Sequence, residues 1–177
     1  MSVSEVKRYL DQWGRGKDVL EPDDSCATVE LAAQTLGVIP ARIAKTIAFA
    51  KTPALKAPAS ASSEQAAENF GCVLIVAAGD SKIDNAKFKS CFGFKARMLP
   101  PAETLAITGH AVGGVCPFAV NPEQVDVYLD VSLQRFATVF PACGSPNSLI
   151  ELTPAELFLY SRSKEWLDVC KGWQEKS

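Results

Sequence analysis

Hydrophobic and polar positions recur with different periods along the chain, and the period distinguishes predicted helices from predicted strands. Near the N-terminus, Val3, Val6 and Leu10 recur at helical spacing. Ser2 with Glu5 three positions later matches a capping box, so the sequence predicts a helix that begins here. Four further helices are predicted from N-cap residues and proline positions, and they begin after Thr28, Asp84, Pro100 and Thr153.

Three segments have the pattern of longer strands. Residues 43–51 (IAKTIAFAK) alternate between two faces, which places Lys45 on an otherwise apolar face. Residues 72–80 (CVLIVAAGD) form a continuous apolar run, typical of a strand buried on both faces, and residues 125–130 (VDVYLD) alternate again. Shorter extended segments are predicted at residues 19–20, 96–99, 138–142 and 148–152.

This order of elements predicts the fold class. Helices interleaved with about seven strands indicate an α/β (α+β) protein, with a mixed β-sheet or barrel surrounded by helices. We expect one compact domain over residues 1–177. Residues 52–69 are rich in Ala, Pro and Ser and have no apolar period, so they are predicted to form a flexible insertion between two strands.

Composition narrows the classes of function. Hydrophobic residues make up 47% of the 177 positions, and no apolar run reaches the roughly 18 residues of a membrane span. Together with an N-terminus that lacks a signal-peptide core, this predicts a soluble cytoplasmic protein without a membrane partner. The formal net charge of −2 indicates no extended basic face, so a nucleic acid would be held locally or by one end. The absence of a long exposed apolar segment favours a monomer or a weak dimer.

The cysteines do not indicate a metal site or a disulfide framework. Six cysteines are spread along the chain without a C-x2-C pair, and a domain of this length does not need disulfides. We expect free thiols that act as small core residues. Phosphate-binding and dinucleotide-binding glycine motifs are also missing, so neither a cofactor nor a metal is expected.

Lys45 and Asp130 are candidate functional residues because of where they stand in their strands. A lysine on an apolar strand face is costly to bury unless a partner or ligand completes the site. The alternative is an edge-strand lysine whose charged end reaches water. Asp130 ends the strand at 125–130, where it could pair with Lys45 or contact a substrate. The alternative for Asp130 is a carboxylate at the start of a short helix.

The stretch TGHAVGGVCPFAV combines backbone freedom with rigidity. Residues 113–117 (GGVCP) predict a loop that presents main-chain groups to a ligand, unless the glycine pair marks only a tight turn. Residues 143–145 (CGS), between two predicted strands, are a candidate for a second loop of this kind. His110 and Cys116 suggest a nucleophile and its base, although residues six positions apart need not be in contact.

Several short motifs occur together in an order that resembles one known family. The chain resembles the YbaK/ProX family of aminoacyl-tRNA editing deacylases, relatives of the editing domain of bacterial prolyl-tRNA synthetases. The resemblance runs from about residue 20 to residue 160. The matching segments are Thr28-Val29-Glu30, IAKT with Lys45, LIVAAGD, TGHAVGGVCPF, the strand that ends at Asp130, and CGS before LTPAEL.

The resemblance implies the reaction and the roles of individual residues. The expected activity is hydrolysis of the ester that joins a wrong amino acid to the 3′ end of a tRNA, with water or a substrate group as the nucleophile. The resemblance implies that Lys45 is essential and that Asp130 belongs to the same cleft. The remaining expected pocket residues are Thr28, His110, Gly113, Gly114, Val115, Cys116, Pro117, Gly144 and Ser145.

The sequence therefore predicts an aminoacyl-tRNA deacylase that acts in trans. Its expected partner is the acceptor end of tRNA(Pro), or of a related tRNA charged with a small amino acid, and an aminoacyl-tRNA synthetase is a further partner. Two alternatives remain open at this point. One is a binding module with the same fold but no turnover, and the other is a thiol hydrolase that depends on Cys116.

Overall fold

The computed structural model describes residues 2–51 and 71–174, and helices and strands alternate along both segments. The described α-helices are α1 (Val3–Leu10), α2 (Val29–Leu36), α3 (Asn85–Phe92), α4 (Pro101–Thr108) and α5 (Pro154–Tyr160), and short 3-10 helices cover Asp11–Trp13, Gly16–Asp18, Pro40–Arg42 and Val131–Arg135. The described strands are β1 (Ile43–Ala50), β2 (Cys72–Ala78), β3 (Lys82–Ile83), β4 (Val125–Asp130), β5 (Phe140–Pro141), β6 (Trp166–Leu167) and β7 (Cys170–Lys171). The predicted insertion at 52–69 lies outside the described residues.

The predicted helix starts are confirmed, and most have the side-chain hydrogen bonds that define a cap. Ser2 accepts from the Glu5 amide while the Glu5 carboxylate accepts from the Ser2 amide, which completes the capping box of α1. Thr153 and Glu156 form the same box at the start of α5. Thr28 accepts from the Leu31 amide at the start of α2. Each cap satisfies main-chain donors that a helix start leaves free, which explains why the sequence signals were sufficient.

The main sheet has five strands in the order β5-β1-β2-β4-β6. β1 pairs with β2 in antiparallel orientation. The other three pairs, β1 with β5, β2 with β4 and β4 with β6, are parallel, so the sheet is mixed as the sequence predicts. A second sheet pairs β3 with β7. The predicted α/β class with helices around a mixed sheet is confirmed.

β2 lies at the centre of this sheet and is buried along its whole length. Its alternate residues belong to two different cores: Leu74 and Val76 pack in the larger one, and Val73 and Ile75 pack with Phe88 of α3. A strand covered on both faces has no polar alternation, and this explains the continuous apolar run in the sequence. The prediction that this strand is buried on both faces is confirmed.

The short strands were predicted less well than the long ones. Residues 148–152 are predicted to form a strand, but the structure shows only isolated bridges there. Leu149 bridges to Leu20 and Ala142, and Leu152 bridges to Val139. Of residues 138–142, only β5 is a strand. The two-residue strands β3, β6 and β7 were not predicted, because two residues are too few to show a period.

Within residues 2–51 and 71–174, no helix has the length and apolar character needed to span a bilayer.

Candidate functional site

A cavity of about 240 Å³ lies beside β1. Its walls come from four parts of the chain: the start of α2, β1 from Ile43 to Ala48, the segments around α4, and the residues that flank the loop at 143–145. The lining residues are Cys26, Ala27, Thr28, Val29, Ile43, Ala44, Lys45, Thr46, Ile47, Ala48, Met98, Leu99, Thr104, Val112, Gly113, Val115, Ala142 and Leu149. Most of these side chains are apolar, so the cavity suits a small ligand group with few polar atoms.

The cavity exists because β1 is only partly covered on the side away from β2. β5 pairs with β1 at Ile43 and Ala44 alone. Further along, the Leu99 amide donates to the Ala48 carbonyl (3.0 Å) and the Ala50 amide donates to the Arg97 carbonyl (2.9 Å). Between these two contacts, no strand of residues 2–51 and 71–174 pairs with residues 45–47 on that side. We call this stretch the open edge of β1.

Thr46 is the central residue of the open edge. Main-chain groups alternate along a strand, and those of Ala48 and Ala50 point away from β2. The N–H and C=O of Thr46 therefore point the same way, towards the cavity. The Thr46 hydroxyl oxygen is buried and has no hydrogen-bond partner. The sequence pattern does not single out Thr46, because a threonine in a strand is ordinary until its neighbours are known.

Lys45 lines the cavity, and its ammonium group is held by main-chain carbonyls rather than by a carboxylate. The Nζ atom donates to the carbonyl oxygen of Ser81 and, at 3.5 Å, to that of Gly79. Burial lowers the pKa of Lys45 below its ordinary value, and the more distant Asp80 and Glu30 partly oppose this effect. No ion pair joins Lys45 to a carboxylate in the described part of the chain.

Asp130 is fully buried and supports the main chain that holds Lys45. Its two carboxylate oxygens accept from the amides of Ser132 and Val169, each at 2.9 Å. The Ser132 hydroxyl in turn accepts from the Ala78 amide (3.1 Å) at the end of β2. Asp130 therefore caps the short 3-10 helix Val131–Arg135 that follows β4, which is the helix-start alternative that the sequence left open, and it does not pair with Lys45.

The glycine loop at 113–117 packs directly on the second loop at 144–145. A Cβ atom on Gly114 would lie 2.6 Å from the Ser145 nitrogen and 2.7 Å from the Gly144 carbonyl carbon, so only glycine fits. Gly113 has a φ of +92°, which also favours glycine. The loop thereby brings Gly113 and Val115 to the cavity wall, and Gly144 with Ser145 supports it from behind.

His110 and Cys116 are in contact, but both side chains are fully buried and neither lines the cavity. The His110 Nε2 atom lies 2.9 Å from the Phe118 carbonyl oxygen and 3.4 Å from the Cys116 sulfur. A carbonyl only accepts, so Nε2 carries the proton and cannot take one from the thiol. Burial raises the pKa of Cys116 to about 12, which keeps it a neutral thiol. This arrangement does not favour a thiol nucleophile.

The structure thus divides the predicted site residues into two groups. Thr28, Lys45, Gly113 and Val115 line the cavity. The others are not part of its lining and lie behind the wall or at the end of β4, namely His110, Gly114, Cys116, Pro117, Asp130, Gly144 and Ser145. Lining residues that the sequence analysis missed include Thr46, Met98 and Thr104. In residues 2–51 and 71–174, no three His, Cys, Asp or Glu side chains are grouped as metal ligands would be.

Comparisons with known proteins agree with this architecture. A family model described as the aminoacyl-tRNA editing domain matches residues 23–159. A Bacillus subtilis (strain 168) protein named "Uncharacterized protein YwhH" is 53% identical over 174 residues, which span 98% of this chain and 100% of that protein.

Two solved structures share the fold. A crystal structure described as that of a candidate trans-editing enzyme for prolyl tRNA synthetase is 27% identical, with a TM-score of 0.76 over 97% of this chain and 99% of that one. The crystal structure of hypothetical protein APE2540 is 24% identical, with a TM-score of 0.71 over 92% of this chain and 99% of that one.

Proposed function

The chain belongs to the aminoacyl-tRNA editing domain family, and from this premise we propose that it hydrolyses the ester bond of a mischarged tRNA that carries a small amino acid. The observation that carries the proposal is the small, mostly apolar cavity with Lys45 in its wall. The similar structure described as a candidate trans-editing enzyme for prolyl tRNA synthetase supports tRNA(Pro), or a related tRNA, as the substrate.

The size of the cavity supports selection of a small amino acid. Its volume of about 240 Å³ lies below the roughly 300–1,000 Å³ of pockets for drug-sized ligands. Val115, Leu99 and Ala48 contribute apolar walls, which limit the side chain that enters. A pocket that admits small side chains and excludes larger ones acts as the second sieve of an editing system.

Lys45 is the proposed electrostatic group. When water attacks the ester carbonyl carbon, the carbonyl oxygen gains negative charge. An ammonium group directed at that oxygen stabilises it. The C–O bond to the ribose then breaks, the ribose oxygen takes a proton, and the amino acid leaves. In this proposal the Lys45 ammonium moves from the carbonyls of Gly79 and Ser81 to the ester oxygen.

Asp130 acts in this proposal as a positioning residue. Its carboxylate accepts a hydrogen bond from the Ser132 amide and so orders the main chain at Ser132. The Ser132 hydroxyl in turn accepts a hydrogen bond from the Ala78 amide. Ala78 is followed directly by Gly79 and Ser81, whose carbonyls hold Lys45. Asp130 is thereby connected to Lys45 through main chain, and its role is to keep the end of β2 in place.

The proposed partner is the acceptor end of the tRNA, held in the cytoplasm where tRNAs are charged. The net charge of −2 is compatible with recognition of one end of the nucleic acid. A synthetase partner and a monomeric or weakly dimeric state stay predictions.

One observation favours the binding module as a second candidate. The Lys45 ammonium already has two hydrogen-bond acceptors, so it needs to break these bonds before it can assist a reaction. If they persist with substrate bound, the domain would hold an aminoacyl-tRNA without hydrolysing it. A single-turnover assay distinguishes the two, because only the deacylase releases free amino acid.

The proposal is tested by amino acid release from a panel of tRNAs mischarged with Ala, Cys, Ser or Thr. In Lys45→Met the side-chain stem stays and the charge is lost. We expect a decrease in the deacylation rate of at least about 100-fold, the size of effect typical for loss of one oxyanion-stabilising group.

Lys89→Met is the matched control, because Lys89 is exposed and lies outside the cavity lining. It should keep the wild-type rate, and both variants should keep the wild-type circular dichroism spectrum. A Lys45→Met protein that stays folded and fully active would contradict the proposed role. If wild type releases no amino acid from any substrate in single turnover, the deacylase proposal fails for those substrates.

A further inference from the structure

The main-chain N–H and C=O of Thr46 have no strand partner on the cavity side among residues 2–51 and 71–174. Its N–H donor and C=O acceptor point from the open edge of β1 into the cavity, between the contacts made by Ala44 and Ala48. An aminoacyl ester carries the complementary pair, an α-ammonium donor and a carbonyl acceptor. Extended ligands commonly bind a strand edge in this way, as one more strand of the sheet.

This pairing also fixes where the side chain of the bound amino acid lies. Residues directly opposite each other on adjacent strands have Cβ atoms about 4.5–5.5 Å apart, on the same face of the sheet. The side chain of an amino acid that pairs with Thr46 therefore lies next to the Thr46 side chain. Hydroxyl groups in such cross-strand pairs form hydrogen bonds with each other.

Among the described residues, the Thr46 hydroxyl has no hydrogen-bond partner, whereas the other threonine hydroxyl groups of the cavity wall each have one. Thr104 Oγ1 donates to the Pro100 carbonyl (3.1 Å), and Thr28 Oγ1 accepts from the Leu31 amide (3.2 Å). The Thr46 oxygen itself is covered, but the residue as a whole is partly exposed. Rotation about χ1 between staggered states turns this oxygen towards a bound side chain.

We propose that Thr46 determines the specificity of the cavity, and that it selects a small amino acid whose side chain carries a hydroxyl group, serine or threonine, over alanine. This inference rests on the proposed function, since it takes the aminoacyl end of a tRNA as the ligand. The main chain of Thr46 binds the atoms common to all amino acids, and its hydroxyl distinguishes the side chains.

The test is a binding measurement that does not depend on turnover. Seryl and alanyl amides of 3′-amino-3′-deoxyadenosine imitate the tRNA end and are not hydrolysed. By isothermal titration calorimetry, wild type should bind the seryl analogue about tenfold more tightly than the alanyl one, as one added hydrogen bond predicts. In Thr46→Val, which removes only the hydroxyl, this ratio should fall to about one.

Thr108→Val is the matched control, since it removes a buried hydroxyl that is bonded to the Thr104 carbonyl and lies outside the cavity lining. It should keep the seryl preference and lose thermal stability. Thr46→Val should unfold at the wild-type temperature or above, because an unpaired buried hydroxyl contributes no stability. The inference is overturned if wild type shows no seryl preference, or if Thr46→Val keeps it.

Failure of this inference and failure of the proposed function give different results. If the mischarged tRNAs are hydrolysed but the binding ratio is unaffected by Thr46→Val, only the specificity role of Thr46 is wrong. If the seryl preference depends on Thr46 but no tRNA is hydrolysed, Thr46 is a recognition residue of a binding module. If neither analogue binds to wild type, the aminoacyl docking position itself is refuted.

Discussion

Two regions of the molecule each contain a buried polar atom without a partner, and they differ in what surrounds it. At the open edge of β1, the Thr46 hydroxyl belongs to a residue of a cavity wall. At the His110–Cys116 contact, the His110 Nδ1 atom is unpaired within a closed core beside Gly144. His110 and Cys116 have the more reactive side chains, yet only the open edge can be reached by a ligand.

A reactive residue type is therefore a weaker indicator of a ligand site than a polar atom that lacks a hydrogen-bond partner and belongs to a cavity wall. The His110–Cys116 contact combines a neutral thiol with an imidazole whose pKa burial lowers. Neither group can exchange protons readily with a substrate from that position. At the open edge, an unpaired donor, acceptor and hydroxyl stand together beside Lys45. The following predictions test this difference, beginning with the largest effect.

Gly114→Ala should damage the cavity without changing any lining side chain. The added Cβ would meet the main chain of Ser145 and Gly144, so the glycine loop must move away from its support. Because displacement of a reacting group by about 1 Å can cost roughly 100-fold in rate, we expect a loss of deacylation of that order. The measurement is amino acid release from the best substrate of the mischarged tRNA panel.

Gly93→Ala provides the comparison for Gly114→Ala. Gly93 has a φ of +80° at the end of α3, and no atom lies within 4 Å of its added Cβ. It should cost about 1 kcal/mol of unfolding free energy, as expected for alanine at positive φ, and leave activity within a few-fold of wild type. Equal activity of the two variants would show that the loop contact does not shape the site.

His110 should make the stability of the protein depend on pH just below neutrality. Burial lowers its pKa from the ordinary value of 6.5, so the unfolded chain binds the proton more readily than the folded one. The free energy of unfolding should therefore fall as the pH is lowered below about 6.5, by at most about 1.4 kcal/mol per pH unit, and be flat with respect to this group above that value. Urea unfolding between pH 5 and 8 measures this slope.

His110→Gln isolates this contribution, because His110 is the only histidine of the chain and glutamine keeps an N–H donor for the Phe118 carbonyl. The variant should be less stable than wild type at pH 8 and show a smaller slope between pH 5 and 6.5. Identical slopes in the two proteins would mean that His110 becomes protonated in the folded state.

The thiols should show the smallest effect. Cys91 is exposed, and the other five cysteines are buried. With N-ethylmaleimide at pH 8, we expect one rapidly labelled thiol in the folded protein, absent in Cys91→Ser, and six after denaturation. Cys116→Ala should keep deacylation within about threefold of wild type. Rapid labelling of Cys116, or complete loss of activity in Cys116→Ala, would instead restore the thiol hydrolase.

Features determined by local sequence were predicted well. Caps such as Ser2, Thr28 and Thr153 act within four residues, and so the helix starts could be predicted from short windows. The run at 72–80 indicated a strand covered on both faces before any partner was known. The ordered motifs also predicted the family, which the match over residues 23–159 confirms.

The candidate site could be predicted only in part, because a cavity is a property of several segments at once. Lys45 was conspicuous as a charge in an apolar strand. Thr46, its neighbour, was not, because its importance depends on β5 ending at Pro141 and on residues 97–99 joining β1 only from Ala48 onward. The same limit applied to Cys116, whose burial follows from packing and not from its neighbours in sequence.

The helix ends, the long strands, the mixed α/β class and the family could all be predicted from residue order and local hydrogen bonding. Tertiary structure alone decided which polar groups stay unpaired and which can meet a ligand. It did so because strand pairing satisfies the main chain of β1 at both ends and leaves Thr46 free between them. Packing meanwhile closes the core around His110 and Cys116.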